Sequence, residues 1–233
     1  MTNPHILKVA KRNNPNGPAR LGQRYSHTAF LPEAGNTVIC HLDTDHPGHR
    51  AILHARSRIQ ALPGAKRFLF TPASSLHMTV FEGAIETRRT ADAWPSGLDR
   101  QADMDDVTAH VIERLSNFAP PPAFSVRVGK VVPTGLALKG ATVRDEKILR
   151  AWRDALTKPF GYRHKTHDTY EFHMTFGYCI DWLSDDEVPI WESALKSIHA
   201  DLVKEAPVVP LKTPAFSRFA DMTRFEELLV LRA

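Results

Sequence analysis

A chain of 233 residues with 42% apolar and 24% charged content can bury a core in one large domain or two small lobes, which excludes a disordered tail or a disulfide scaffold. Its net charge of +4 and pI near 9.1 suit anionic partners, nucleotides and RNA ends among them. Lys and Arg are scattered, however, and no basic run marks a nucleic-acid tail.

Residues 1–22, rich in Asn, Pro and Gly, read as an irregular arm. RYSHTAFL and NTVICHLD, separated by PEAGN, predict a β-hairpin. Residues 49–62 set Ile52, Leu53, Ala55, Ile59 and Leu62 at near-helical spacing before Pro63 and Gly64 end the run. Strands in KRFLFTP and HMTV follow, then a polar loop, ETRRTADAWPSGLDR. Helical period returns over 104–118 through Val107, Val111, Leu115 and Phe118. The three prolines at 120–122 stop it, because proline lacks the amide hydrogen and clashes with the preceding turn. FSVRVGKVV and GLALKGATV predict a second hairpin about Pro133, Thr134 and Gly135. A helix over 144–158 buries Ile148, Leu149, Trp152, Ala155 and Leu156, and Pro159 and Gly161 end it. The His-rich connection YRHKTHDTY leads into a strand, HMTF. A helix over 185–204 and a last hairpin, PAFSRFADMTRFEELLVLR, close the chain.

The order hairpin, helix, HMT strand, helix thus occurs twice, with a third hairpin at the end. A repeat of roughly 100 residues is too long for a solenoid. Strands joined by hairpins and covered by helices predict an α+β fold. The expectation is a single bilobed domain over 1–233: two pseudo-symmetric lobes with interleaved strands, each an antiparallel sheet with helices on its outer face, and a cleft between them.

The duplicated letters are His77-Met78-Thr79-Val80 and His173-Met174-Thr175-Phe176. Side chains alternate along a strand, so His and Thr of each copy share one face while Met and Val or Phe anchor the other. His164-Lys165-Thr166 and His167-Asp168-Thr169 also fit His-x-Thr, but their intervening residues are charged and read as loop. Strand phase and matching positions in the duplication single out His77 and His173.

Two copies of His-x-Thr with apolar x positions, one per lobe and about a hundred residues apart, resemble the two-histidine (2H) phosphoesterases, which include LigT-like RNA ligases and cyclic phosphodiesterases. The flanking sequence is similar to a branch without an assigned substrate rather than to the cyclic phosphodiesterase branch. The resemblance implies metal-independent opening of a cyclic phosphate or cleavage of a phosphodiester at a nucleotide or RNA end. It makes His77 and His173 the acid/base pair, with Thr79 and Thr175 as phosphate ligands. Histidine suits both proton transfers because its ordinary pKa lies near working pH. Hydroxyls on the same face can donate to the non-bridging oxygens. Which imidazole is base stays open.

Further residues could border the cleft. Ser75 and Glu171, two positions before each His, share its face, although simple polar strand ends are the favoured explanation. Arg163, His164, Lys165 and His167 could attract phosphates, with a solvated basic loop as the commoner explanation. Tyr25, Tyr170 and Trp94 could stack on a base. Two readings stand beside the phosphoesterase: a non-catalytic module that binds a nucleotide or RNA end, and a His-liganded metallohydrolase. There is no HExxH, cysteine pair or carboxylate cluster at ligand spacing, so no metal or cofactor is expected.

Cys40 and Cys179 lie in apolar strand-like stretches and read as buried free thiols in a reducing compartment. Lys8 and Lys11 interrupt the apolar residues of the N-terminus, and nothing later approaches a membrane span. A cytoplasmic protein with no membrane partner is expected. Protein partners and oligomeric state are not legible, and a monomer is compatible with the sequence.

Overall fold

The computed structural model describes residues 4–232. Its elements in chain order are α1 (Pro4–Leu7), β1 (Gly35–His41), α2 (His49–Gln60), β2 (Phe68–Phe70), β3 (His77–Ile85), α3 (Met104–Leu115), β4 (Val126–Val132), β5 (Gly135–Gly140), α4 (Val143–Phe160), β6 (His173–Thr175), β7 (Gly177–Cys179), α5 (Glu187–Glu205), β8 (Ala215–Phe219) and β9 (Glu226–Val230). This is the expected mixture of helices with antiparallel strands. Seven strands pair in the order β4-β5-β6-β3-β1-β8-β9, while β2 and β7 form a separate ribbon.

The two halves of the duplication meet inside that one sheet. Strands β4, β5 and β6 come from the second half, and β3 and β1 from the first, with β8 and β9 added beyond β1. The seam is a single antiparallel pair, Met78 opposite Met174. Both methionines are fully buried, as are Val80 and Phe176, so the apolar face of each HMT strand does anchor it. On that side Met78, Met174 and Leu136 join one core with Leu149 and Leu156 of α4 and with Trp191 and Leu195 of α5. Burying a Leu or Met side chain contributes about 1.5–3 kcal/mol, so this shared core is what holds the seam.

Two local expectations are corrected. RYSHTAFL does not pair with β1; six of the seven β1 residues are buried, a central-strand pattern, and β1 lies between β3 and β8. The segment instead folds on itself through a Tyr25–Phe30 bridge, and Arg20 and Arg24 both reach the buried Glu33 carboxylate. KRFLFTP forms a strand as expected, β2, which pairs with β7 outside the main sheet. The arm holds α1 and buries Ile6, Val9 and Ala10 rather than running irregularly throughout.

Helix α4 underlies the seam, and its ends are well specified. Thr142 accepts from the Asp145 amide at 3.1 Å, while the Asp145 carboxylate accepts from the Thr142 amide at 3.0 Å. Such a reciprocal cap stabilises by roughly 1 kcal/mol. Gly161, in the left-handed region at φ 74°, ends the helix. Pro159 sits within the last turn, so the stop comes from Gly161 alone.

Among the described residues no helix is long and apolar enough to cross a membrane. Cys40 and Cys179 are both buried and free.

Candidate active site

The antiparallel Met78–Met174 pair sets the geometry above it. In that register His77 lies opposite Thr175 and Thr79 opposite His173, so each histidine faces the hydroxyl of the other copy. Directly opposed residues have Cβ atoms about 4.5–5.5 Å apart and diagonal ones about 7–8 Å. The two imidazoles therefore occupy one diagonal of a small square and the two hydroxyls the other. His77, Thr79, Thr175 and His173 line a common cavity of about 110 Å3.

Both histidines are oriented alike. Nδ1 of His77 donates to the Ser75 carbonyl at 2.6 Å, and Nδ1 of His173 donates to the Glu171 carbonyl at 2.9 Å. In each copy the partner is the backbone two residues earlier, which leaves Nε2 for chemistry. The serine and glutamate expected at the cleft thus matter first through their main chain. The Ser75 hydroxyl donates to Pro72, and Glu171 borders an adjoining cavity on the His173 side.

The surroundings of the two imidazoles differ. His77 is half-buried, its ring 4.2 Å from that of Phe225 and 6.2 Å from that of His41. Burial lowers its pKa to about 4, opposed by the Ser75 hydrogen bond and reinforced by the neighbouring His41 and His173. His173 is exposed at the mouth. One imidazole is therefore held neutral, while the other remains open to water.

Tyr170 ties the copies together. Its hydroxyl hydrogen-bonds Thr79, its ring centroid lies 5.9 Å from that of His173, and burial raises its pKa well above the ordinary phenol value. The Arg153 guanidinium lies over the Tyr170 ring at 3.8 Å from its centroid and donates to the Val80 carbonyl at 2.7 Å. Arg153 is fully buried, and its Nε and Nη2 have no hydrogen-bond partner. Helix α4 thereby places a cation beneath the Thr79 strand, on the core side of the cavity.

Other expected cleft residues lie elsewhere. Arg163 pairs with Asp154 and Asp168, and neither Arg163 nor Lys165 lines the cavity. The YRHKTHDTY loop is not wholly solvated: His164 and His167 are buried, with Nε2 against the Glu82 carbonyl at 2.8 Å and the Asp154 carboxylate at 2.9 Å. Tyr25 stands one ring behind, 5.2 Å from Tyr178, which does line the cavity. Trp94 belongs to a separate cluster with Ala84 and Val107.

Arg24, Thr37, Glu82 and Phe225 also line the cavity, and sequence reading missed them. For Glu82 the cause is a bulge. Thr79 opposes Ile39 and Phe81 opposes Val38, so Val80 is the extra residue and the phase of β3 flips beyond it. Simple alternation would have put Phe81 in the cleft. Arg24 and Phe225 arrive from distant loops and left no local signal.

Among the described residues no group of three or more His, Cys, Asp or Glu side chains is placed to hold a metal ion. Burial, the largest cause in each case, also lowers the pKa values of His5, His41, His164 and His167. A histidine whose folded pKa is depressed binds a proton more readily unfolded, so stability is full above about pH 6.5 and falls with pH toward the folded values. The urea midpoint is expected to drop between pH 7 and pH 5, and a flat midpoint over that range would contradict the burial of these rings.

A family model described as 2H-phosphodiest, domain of unknown function (DUF1868), matches residues 24–137. The crystal structure of the conserved protein of unknown function ATU0111 from Agrobacterium tumefaciens is 42% identical and superposes with a TM-score of 0.97 over 99% of this chain and 100% of that one. Comparison with curated proteins gives no match. With its paired His-x-Thr strands, the chain belongs to the 2H phosphodiesterase family, in a branch whose function is unassigned.

Proposed function

We propose that the protein is a metal-independent phosphoesterase that opens a cyclic phosphate or cleaves a phosphodiester at a nucleotide or RNA end, with His77 as general base and His173 as general acid. The unequal surroundings of two identically oriented imidazoles carry this reading. Neutral His77 presents a free Nε2 lone pair. It takes a proton from water as the water oxygen bonds to phosphorus. The bond from phosphorus to the leaving ribose oxygen breaks, and His173 supplies that oxygen with a proton. Thr79 and Thr175, on the other diagonal, donate hydroxyl hydrogens to the non-bridging oxygens. Tyr170 holds the Thr79 hydroxyl in place.

The test is hydrolysis of 2′,3′-cyclic nucleotides and short oligonucleotides with and without excess EDTA. Turnover that persists in EDTA supports the reading, and loss restored by zinc would replace it with a metallohydrolase. Calorimetric binding without any turnover would make the site a recognition module. The pH dependence separates the two histidines. A base must be neutral, so kcat/KM is expected to hold on the acid side until pH falls toward about 4. The acid limb of kcat should lie higher, since a bound phosphate favours the protonated ring. An acid limb of kcat/KM near the ordinary histidine value would remove His77 from the base role.

A further inference from the structure

The cavity between the histidines has room for a phosphate but not for a nucleoside. Its volume, about 110 Å3, is that of a few water molecules, whereas sites for drug-sized ligands run to roughly 300–1,000 Å3. The rest of any substrate must leave on one side. Toward β1, Phe225 covers His77. Toward β5, the neighbours of Thr175 and His173 are Gly135 and Ala137, the two smallest residues, and the face stays clear. There a second cavity of about 540 Å3 begins at His173 and Thr175. It shares Ala137, Tyr170 and Glu171 with a third of about 740 Å3, so the two form one groove that crosses β5 to the sheet edge.

Strand register fixes what that groove floor carries. Ala137 opposes His173 on one side and Lys130 on the other, and Lys139 opposes Arg127. Opposed residues share a face, so Lys130, Lys139 and Arg127 stand on the face that bears His173. All three are exposed, and among the described residues none forms an ion pair. Lys139 and Arg127 are like charges set directly opposite, an unfavourable pairing that a bound anion would relieve. Nearby acids do not cancel them. Glu146 is occupied by Arg150 and the Gly140 amide, and Glu171 faces His5. Lys130 is two strand spacings from His173, roughly 10 Å, within reach of the next phosphate along a nucleic-acid chain.

We propose that Arg127, Lys130 and Lys139 form a second anion subsite, which takes the backbone phosphates of a single-stranded oligonucleotide whose terminal phosphoester lies between His77 and His173. The preferred substrate is then an oligonucleotide end rather than a mononucleotide. This rests on the phosphoesterase reading for its catalytic half only.

Two measurements test it. The first compares kcat/KM for a 2′,3′-cyclic mononucleotide with that for a trinucleotide ending in the same cyclic phosphate. A preference for the trinucleotide of about tenfold or more is expected, reduced to near one in the triple variant Arg127→Ala, Lys130→Ala, Lys139→Ala. The second follows fluorescence anisotropy of a labelled trinucleotide with a terminal 3′-phosphate, which needs no turnover. Wild-type binding should weaken with salt, and the triple variant should lose about 1.4 from the slope of log K against log salt, one contribution of roughly 0.7 for each of the two internucleotide phosphates. Binding that behaves so without hydrolysis would leave the subsite standing and overturn the catalytic reading. Equal kcat/KM for both substrates, or binding unaffected by the triple variant, would overturn the subsite. So would a triple variant altered only in aggregation, which would make these charges ordinary protection for the edge strand β4.

Discussion

Replacing His77 or His173 by Ala lowers kcat/KM for a 2′,3′-cyclic nucleotide by about 10²–10⁴-fold, the range for loss of a positioned acid or base. The double variant is expected to be little worse than the poorer single one, because acid and base act on one displacement and their removal is not additive. Both variants should fold, since the Nδ1 partners of the two rings are main-chain carbonyls and the strands are anchored by Met78 and Met174. The contrast is His41, whose ring also lies near that of His77 but which does not line the cavity. His41→Ala should leave turnover within a few-fold. Near-wild-type rates in both His77→Ala and His173→Ala would end the acid/base account.

Gly135→Ala is expected to destabilise the protein by more than about 3 kcal/mol and to abolish activity with it. Gly135 has φ +145°, and a Cβ there would stand 2.0 Å from the Met174 carbonyl oxygen and 2.9 Å from the Phe176 amide. Those are backbone atoms of the β6 region, so relief requires moving the strand that carries His173 and Thr175. The amide of Phe176 also donates to Thr134 at 2.8 Å, so the shift would break the contact that seats β6 against β5. Gly17, with nothing within 4 Å, is the control. Gly17→Ala should stay within about 0.5 kcal/mol of wild type. Equal urea midpoints for the two variants would show that β5 and β6 have slack at this point.

The repeated letters were legible because they are local and periodic. His-x-Thr on a strand needs only alternation to put both groups on one face, and the apolar residues between them distinguish it from HKT and HDT in the loop. The four long helices, α2 to α5, were legible for the same reason, each having a long apolar stripe. Strand partners were not. RYSHTAFL and NTVICHLD look like a hairpin, yet β1 is buried on both faces and takes its neighbours from residues about forty and nearly two hundred positions away. Arg163 and Lys165 looked like phosphate ligands because they precede the second motif, but their loop turns toward Asp154 and Glu82 instead. Arg24, Glu82 and Phe225 entered the cavity through an arm, a bulge and a distal loop, none of which has a local signature.

By itself, then, the chain determined an α+β fold and a pair of His-x-Thr strands with the correct faces buried, because side-chain alternation acts over a few residues. Only the tertiary structure decided that the two strands meet at Met78 and Met174, that His77 is half-buried with its pKa lowered while His173 is open, and that a cationic groove runs from His173 to the sheet edge. Register and desolvation depend on contacts between residues a hundred positions apart, and these exist only once the sheet has closed over its core.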